Sequence, residues 1–149
     1  MKIIAMPYAQ EVSDEPMDTG SEIAVLQKHF GDQVDFSECF DGWNKNEGIM
    51  ATGPNALQAR AARVRKWLRA RPEKEIVLVA HGNFNHFLTG DVDDQGNQTT
   101  GYWQHAELRT YRFAEDSPED VAAIVESKDE ADSRIVPQLI RTRDGALKN

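Results

Sequence analysis

Five apolar residues, IVLVA at 76–80, run without interruption into a His-Gly pair at 81–82. A continuous run of this length, rich in β-branched residues, is what a strand covered on both faces requires. Apolar residues then resume at helical spacing, so that FNHFLTG at 84–90 opens a helix. A strand that feeds directly into a helix is the repeating unit of α/β folds, and ligands in such folds sit beyond the carboxyl ends of the strands. His81 therefore stands where function is usually placed, and the flanking segments decide whether it has partners.

Upstream, KIIAMP at 2–7 reads as a second buried strand with a proline stop, and SEIAVLQKHFG at 21–31 as a helix. In that helix Ser21 is the expected N-cap, Ile23, Leu26 and Phe30 one face, and Gly31 the C-cap. Residues 32–51 are loop-like around Trp43. The clearest helix follows Thr52: Leu57, Ala61, Val64 and Leu68 recur at helical spacing before Pro72. Downstream, DVDDQGNQTTG reads as a loop and AELRTYRF at 106–113 as a strand. SPEDVAAIVES at 117–127 has the cap, early proline and acidic first turn of a helix, and the remainder is a polar tail. Strands alternating with helices predict an α/β fold with a mostly parallel sheet.

The candidate chemistry gathers at two strand ends. Gly82 is expected to let the backbone turn sharply and approach a ligand. The helix after it would aim free N–H groups at an anion, with Asn83 adding an amide. His81 could then donate to a phosphate or move a proton. Glu11, just past the first strand, is the one carboxylate of Glu11, Asp14 and Glu15 whose position suits a general acid. His86 lacks a companion at ligand spacing and reads as structural or surface, and His29 and His105 have less context still. Asp91, Asp93, Gln95 and Gly96 start like a calcium loop, but the twelfth position is Tyr102 where a glutamate is needed. No metal or other cofactor is expected.

Charge narrows the partners. The chain has 25 acidic and 17 basic residues, a net charge of −8, which argues against nucleic acid or an anionic membrane. The basic run Arg60, Arg63, Arg65, Lys66, Arg69 and Arg71 then reads as a solvated helix face. The single cysteine, Cys39, leaves no internal disulfide and nothing that demands an oxidising compartment. The first residues are too short an apolar run for a signal peptide and no stretch approaches a membrane span, so a cytoplasmic location is expected.

Taken in order, AQEVSDEPMDTGSE at 9–22, Trp43 before Lys45, residues 56–89, and TGYWQHAELRTYRF at 100–113 resemble the histidine phosphatase superfamily, closest to its fungal phosphoglycerate mutase-like branch. The resemblance spans residues 2 to about 113. It implies a three-layer α/β/α fold, of which residues 1–115 form a C-terminal portion and 116–149 a capping helix and tail. It also implies phosphoryl transfer or phosphate-ester hydrolysis on a phosphorylated small molecule or other anion. His81 matches the family's second histidine, which stabilises the transferring group, and Glu11 the acid that protonates the leaving oxygen. His81, Gly82 and Asn83 would together bind the phosphate.

The departures are as specific as the match. The nucleophilic histidine of the family lies in an Arg-His-Gly motif, and no such motif occurs in these 149 residues; Ala80 precedes His81. A phosphate-clamping arginine is missing too, and Asn83 and Asn85 replace a usual glycine and aliphatic residue. The chain starts where the family pattern is already under way. The expectation is therefore a truncated member that is inactive as given, lacking the N-terminal strands and open to self-association. The alternatives are an anion-binding pseudoenzyme, or an acid–base enzyme for elimination or cyclisation that uses Glu11 and His81.

Overall fold

The computed structural model describes residues 3–127, together with the backbone of two short strands near the end of the chain. It is a mixed α/β structure. The elements run β1 (Ile3–Ile4), α1 (Ile23–Phe30), β2 (Val34–Asp35), α2 (Pro54–Arg69), α3 (Gly82–Thr89), β3 (Tyr111–Phe113), β4 (Ile124–Glu126), β5 (Ile140–Arg141) and β6 (Leu147–Lys148). Each strand pairs with one other: β1 with β2 in parallel, β3 with β4 and β5 with β6 antiparallel.

The helix α2 organises the core. Pro54, whose fixed φ suits a first helical position, follows the N-cap Gly53. Leu57, Ala61 and Val64 are fully buried on one face. They meet Phe84, Phe87 and Leu88 of α3 and Ala9 of the turn after β1. Gly96, with a φ of +81°, lies against Pro54 and the Phe87 ring, so only a residue without a side chain can close the 91–98 loop onto both helices. By contrast α1 has no buried residue: the face of Ile23, Leu26 and Phe30 stays at least partly open, and its N-cap is Glu22 in place of the expected Ser21. The expected first strand is shortened to Ile3–Ile4 and is not buried, with Ile3 53% exposed. Trp43 does act as an anchor, its indole lying over Gly20.

The expected strand at 75–80 does not form. No backbone hydrogen bond joins any of these residues to another described residue. Apolar content made the prediction, but a strand exists only through its ladder, and none of the six described strands pairs with this segment. Leu78 and Ala80 still pack against the core, while Val77 and Val79 are 78% and 87% exposed. Water therefore reaches the unpaired backbone groups and spares the cost of burying them.

The expected helix at 117–127 is also replaced. Pro118 O accepts from the N–H groups of Val121 and Ala122, which completes a single turn, and Ser117 Oγ accepts from Ala123 N at 2.7 Å. Ala122 then takes a φ of +47°, and the β-branched pair Ile124–Val125 continues as β4. This hairpin straddles the boundary expected at 115/116. Arg65 and Arg69 of α2 hold its loop through Val121 O and Ser117 O. The expected tail falls outside the described residues, apart from the β5–β6 pairing.

Candidate functional site

Glu11 and the start of α3 come together although 73 residues separate Glu11 from Phe84. Pro7 opens a single 3-10 turn after β1, which buries Ala9 and delivers Gln10 and Glu11 to the interior. Glu11 Oε1 accepts from Phe84 N at 2.9 Å and from Val12 N at 3.0 Å, and Oε2 lies 3.4 Å from Asn83 N. The N-cap residue of α3 is His81, with extended backbone (φ −106°, ψ 153°) and no side-chain cap of its own. A distant carboxylate thus does what a capping side chain normally does, and its charge faces the positive end of the helix.

Arg60 fixes the loop that carries Glu11. It is fully buried on the α2 face of Leu57, Ala61 and Val64. Its guanidinium donates to Tyr8 O at 3.2 Å, to Glu11 O at 3.5 Å and to Gln10 O, and its Cζ lies 4.9 Å from the centre of the Phe84 ring. Burial pushes Arg60 down to about 10, against the opposing attraction of Glu11, so it remains a cation at neutral pH. The basic run is therefore not a uniformly solvated face. Arg65 departs from it as well, donating to Phe87 O at 3.3 Å and Leu88 O at 3.0 Å. The short helix α3 carries a carboxylate at its N-terminus and a guanidinium on its last carbonyls, the arrangement its dipole favours.

The residues expected to bind phosphate surround this cap. His81, Gly82 and Asn83 are all exposed. Asn83 Oδ1 accepts from Gln98 Nε2 at 2.9 Å, which ties the start of α3 to the 91–98 loop. Gly82 does not supply the sharp turn expected of it. Its φ lies outside the left-handed region, and a side-chain carbon there would meet Trp103 Cβ at an ordinary 3.8 Å. The N–H groups of Asn83 and Phe84 already face Glu11, so the expected backbone anion site is occupied from within the chain.

His86 is a buried residue, not a surface one. Its Nδ1 lies 3.4 Å from Thr100 Oγ1, and its Nε2 has no hydrogen-bond partner. Burial pushes it down to about 4, with Asp91 and Glu107 opposing and Arg109 reinforcing the shift. It is a neutral core side chain of α3. Asp93 binds the loop to itself, accepting from Gln95 N, Asn97 N and Asn97 Nδ2. Two cavities of about 490 and 460 Å³ lie elsewhere, one along α1 and one between Tyr8, Cys39, Arg63 and Trp67. Neither is lined by Glu11 or His81.

The sequence reading missed Arg60, Arg65 and Gln98. A signal existed for Arg60, which sits three residues after Leu57 and four before Val64, on the apolar stripe itself. No protein-family model matches the chain, and no curated protein or solved structure does so.

Proposed function

We propose that the chain carries one half of a histidine phosphatase site on part of a phosphoglycerate mutase-like fold. In this reading the fold is the C-terminal portion of a three-layer α/β/α domain with a mostly parallel sheet, and the location is cytoplasmic. The carrying observation is the bond from Phe84 N to Glu11 Oε1, which sets the proposed acid beside the helix that His81 opens. The proposed substrate is a phosphorylated small molecule. Its phosphoryl group would lie against the His81 imidazole and the Asn83 side chain, with the Glu11 carboxyl close enough to serve the leaving oxygen.

The half-site cannot complete the reaction alone. In-line displacement needs a nucleophile and cationic clamps on the phosphoryl oxygens. Acid–base assistance contributes only about 100- to 10,000-fold, far below what phosphate monoester hydrolysis demands. The 149-residue chain is therefore inactive as it stands. The test is complementation: an Arg-His-Gly segment from a phosphatase, fused ahead of residue 1, restores turnover of a generic aryl phosphate. His81→Ala and Glu11→Gln each reduce the restored rate. Turnover by the unfused chain that disappears in His81→Ala would refute the missing-nucleophile reading.

A further inference from the structure

Residues 75–81 combine three properties. Residues 75–80 are free of backbone pairing to described residues, while His81 O accepts from Asn85 N at 2.9 Å; residues 76–80 are apolar; and exposure alternates from Val77 to His81. Leu78 and Ala80 pack inward, whereas Val77, Val79 and His81 are exposed, as are Glu75 and, at 42%, Ile76 ahead of them. That alternation is the period of an extended chain with one face packed and the other bare. An extended segment with open edges is a template for another strand.

The order of the outward residues identifies the occupant. Read along the chain, Glu75–Val77–Val79–His81 has a carboxylate at one end, two valines and an imidazole at the other. An antiparallel pairing of the segment with itself, centred on Leu78, sets Val77 opposite Val79, Ile76 opposite Ala80 and Glu75 opposite His81. The Val77–Val79 and Glu75–His81 pairs stand on the exposed side, a match that a slip to a half-residue centre would lose. Moving the centre to Val77 would set Glu75 against Val79. We propose that two copies of the chain associate through residues 75–81 as a two-fold antiparallel strand pair, placing Glu75 of each copy beside His81 of the other. The pair sets the bare valines against one another, uses hydrogen-bonding positions that have no partner among the described residues and closes on itself. The His81 site thereby gains a second carboxylate, from the partner copy, in addition to its own Glu11.

The inference does not rest on the phosphoryl-transfer reading, because its readout is mass. Sedimentation equilibrium at low ionic strength over a wide range of concentrations shows a reversible monomer–dimer equilibrium. Glu75→Lys removes the two cross-strand carboxylate–imidazole pairs and His81→Glu replaces them by like-charge pairs, and each weakens the dimer by on the order of tenfold or more. The combined Glu75→Lys/His81→Glu variant restores the attraction with the signs exchanged and returns the dissociation constant toward the parent value. Val79→Lys abolishes the dimer, since an edge lysine blocks strand pairing. Circular dichroism checks that each variant is folded; should Val79→Lys not fold, the charge exchange at the two exposed positions decides the matter. A chain that stays monomeric throughout overturns the proposal. So does association that ignores both single charge changes, or that is lost in them and not recovered in the double variant.

Discussion

Acid should loosen this protein through His86. The imidazole is fully buried, has one polar neighbour at Nδ1 and none at Nε2, and is pushed by burial from an ordinary 6.5 down to about 4. The unfolded chain therefore binds a proton at this position that the folded chain refuses, and stability rises with pH between the two values. Above about pH 6.5 the neutral ring costs nothing; from there down to about 4 the penalty grows by about 1.4 kcal/mol per unit, to roughly 3 kcal/mol. Against a typical total of about 5–15 kcal/mol this is a large share. The assay is urea denaturation followed by tryptophan fluorescence at several pH values, for the parent chain and for His86→Gln. Carboxylates titrate in both proteins, so the difference between their stabilities isolates the histidine. The variant is less stable at neutral pH because of the packing it disturbs, and the gap narrows or reverses as the pH falls through the window. A gap that stays constant from neutral pH to below 5 would refute the reasoning.

Two further outcomes follow from the cap on α3. Glu11→Gln replaces a charged acceptor by a neutral one and turns an N–H group toward other donors, and a loss of about 1–2 kcal/mol is expected in the same denaturation assay, with faster amide exchange at Phe84. Gly82→Ala meets an unstrained backbone and an ordinary contact with Trp103, so it raises stability by about 0.4–1 kcal/mol; a loss of similar size would show that a side chain is not tolerated there.

The helices were the legible part of this chain because their signals are local. Leu57, Ala61 and Val64 name the buried face of α2 from spacing alone, and Gly90 marks the end of α3 with a left-handed φ. The segment 76–80 shows the opposite case. Its composition specifies a strand, but its pairing depends on residues far away, and no local pattern reports whether they are present. At 117–127 the capping signals were real but nucleated only one turn, because the β-branched residues that follow had an available partner in β3. Of the candidate site, the strand-end positions of Glu11 and His81 were readable. The role of Glu11 as a cap for α3 was not, since it depends on Arg60 drawing in the backbone of Tyr8 to Glu11 from a position that composition alone assigns to solvent.

The carboxylate of Glu11 also acts as a tethered competitor. A group joined to its receptor by the same chain meets it at an effective concentration on the order of millimolar even when the linkage is flexible. Here the linkage is held by Arg60, so a free anion must displace an occupant that never diffuses away. The two N–H groups at the start of α3 are thereby withheld from any anion that offers no contacts beyond them.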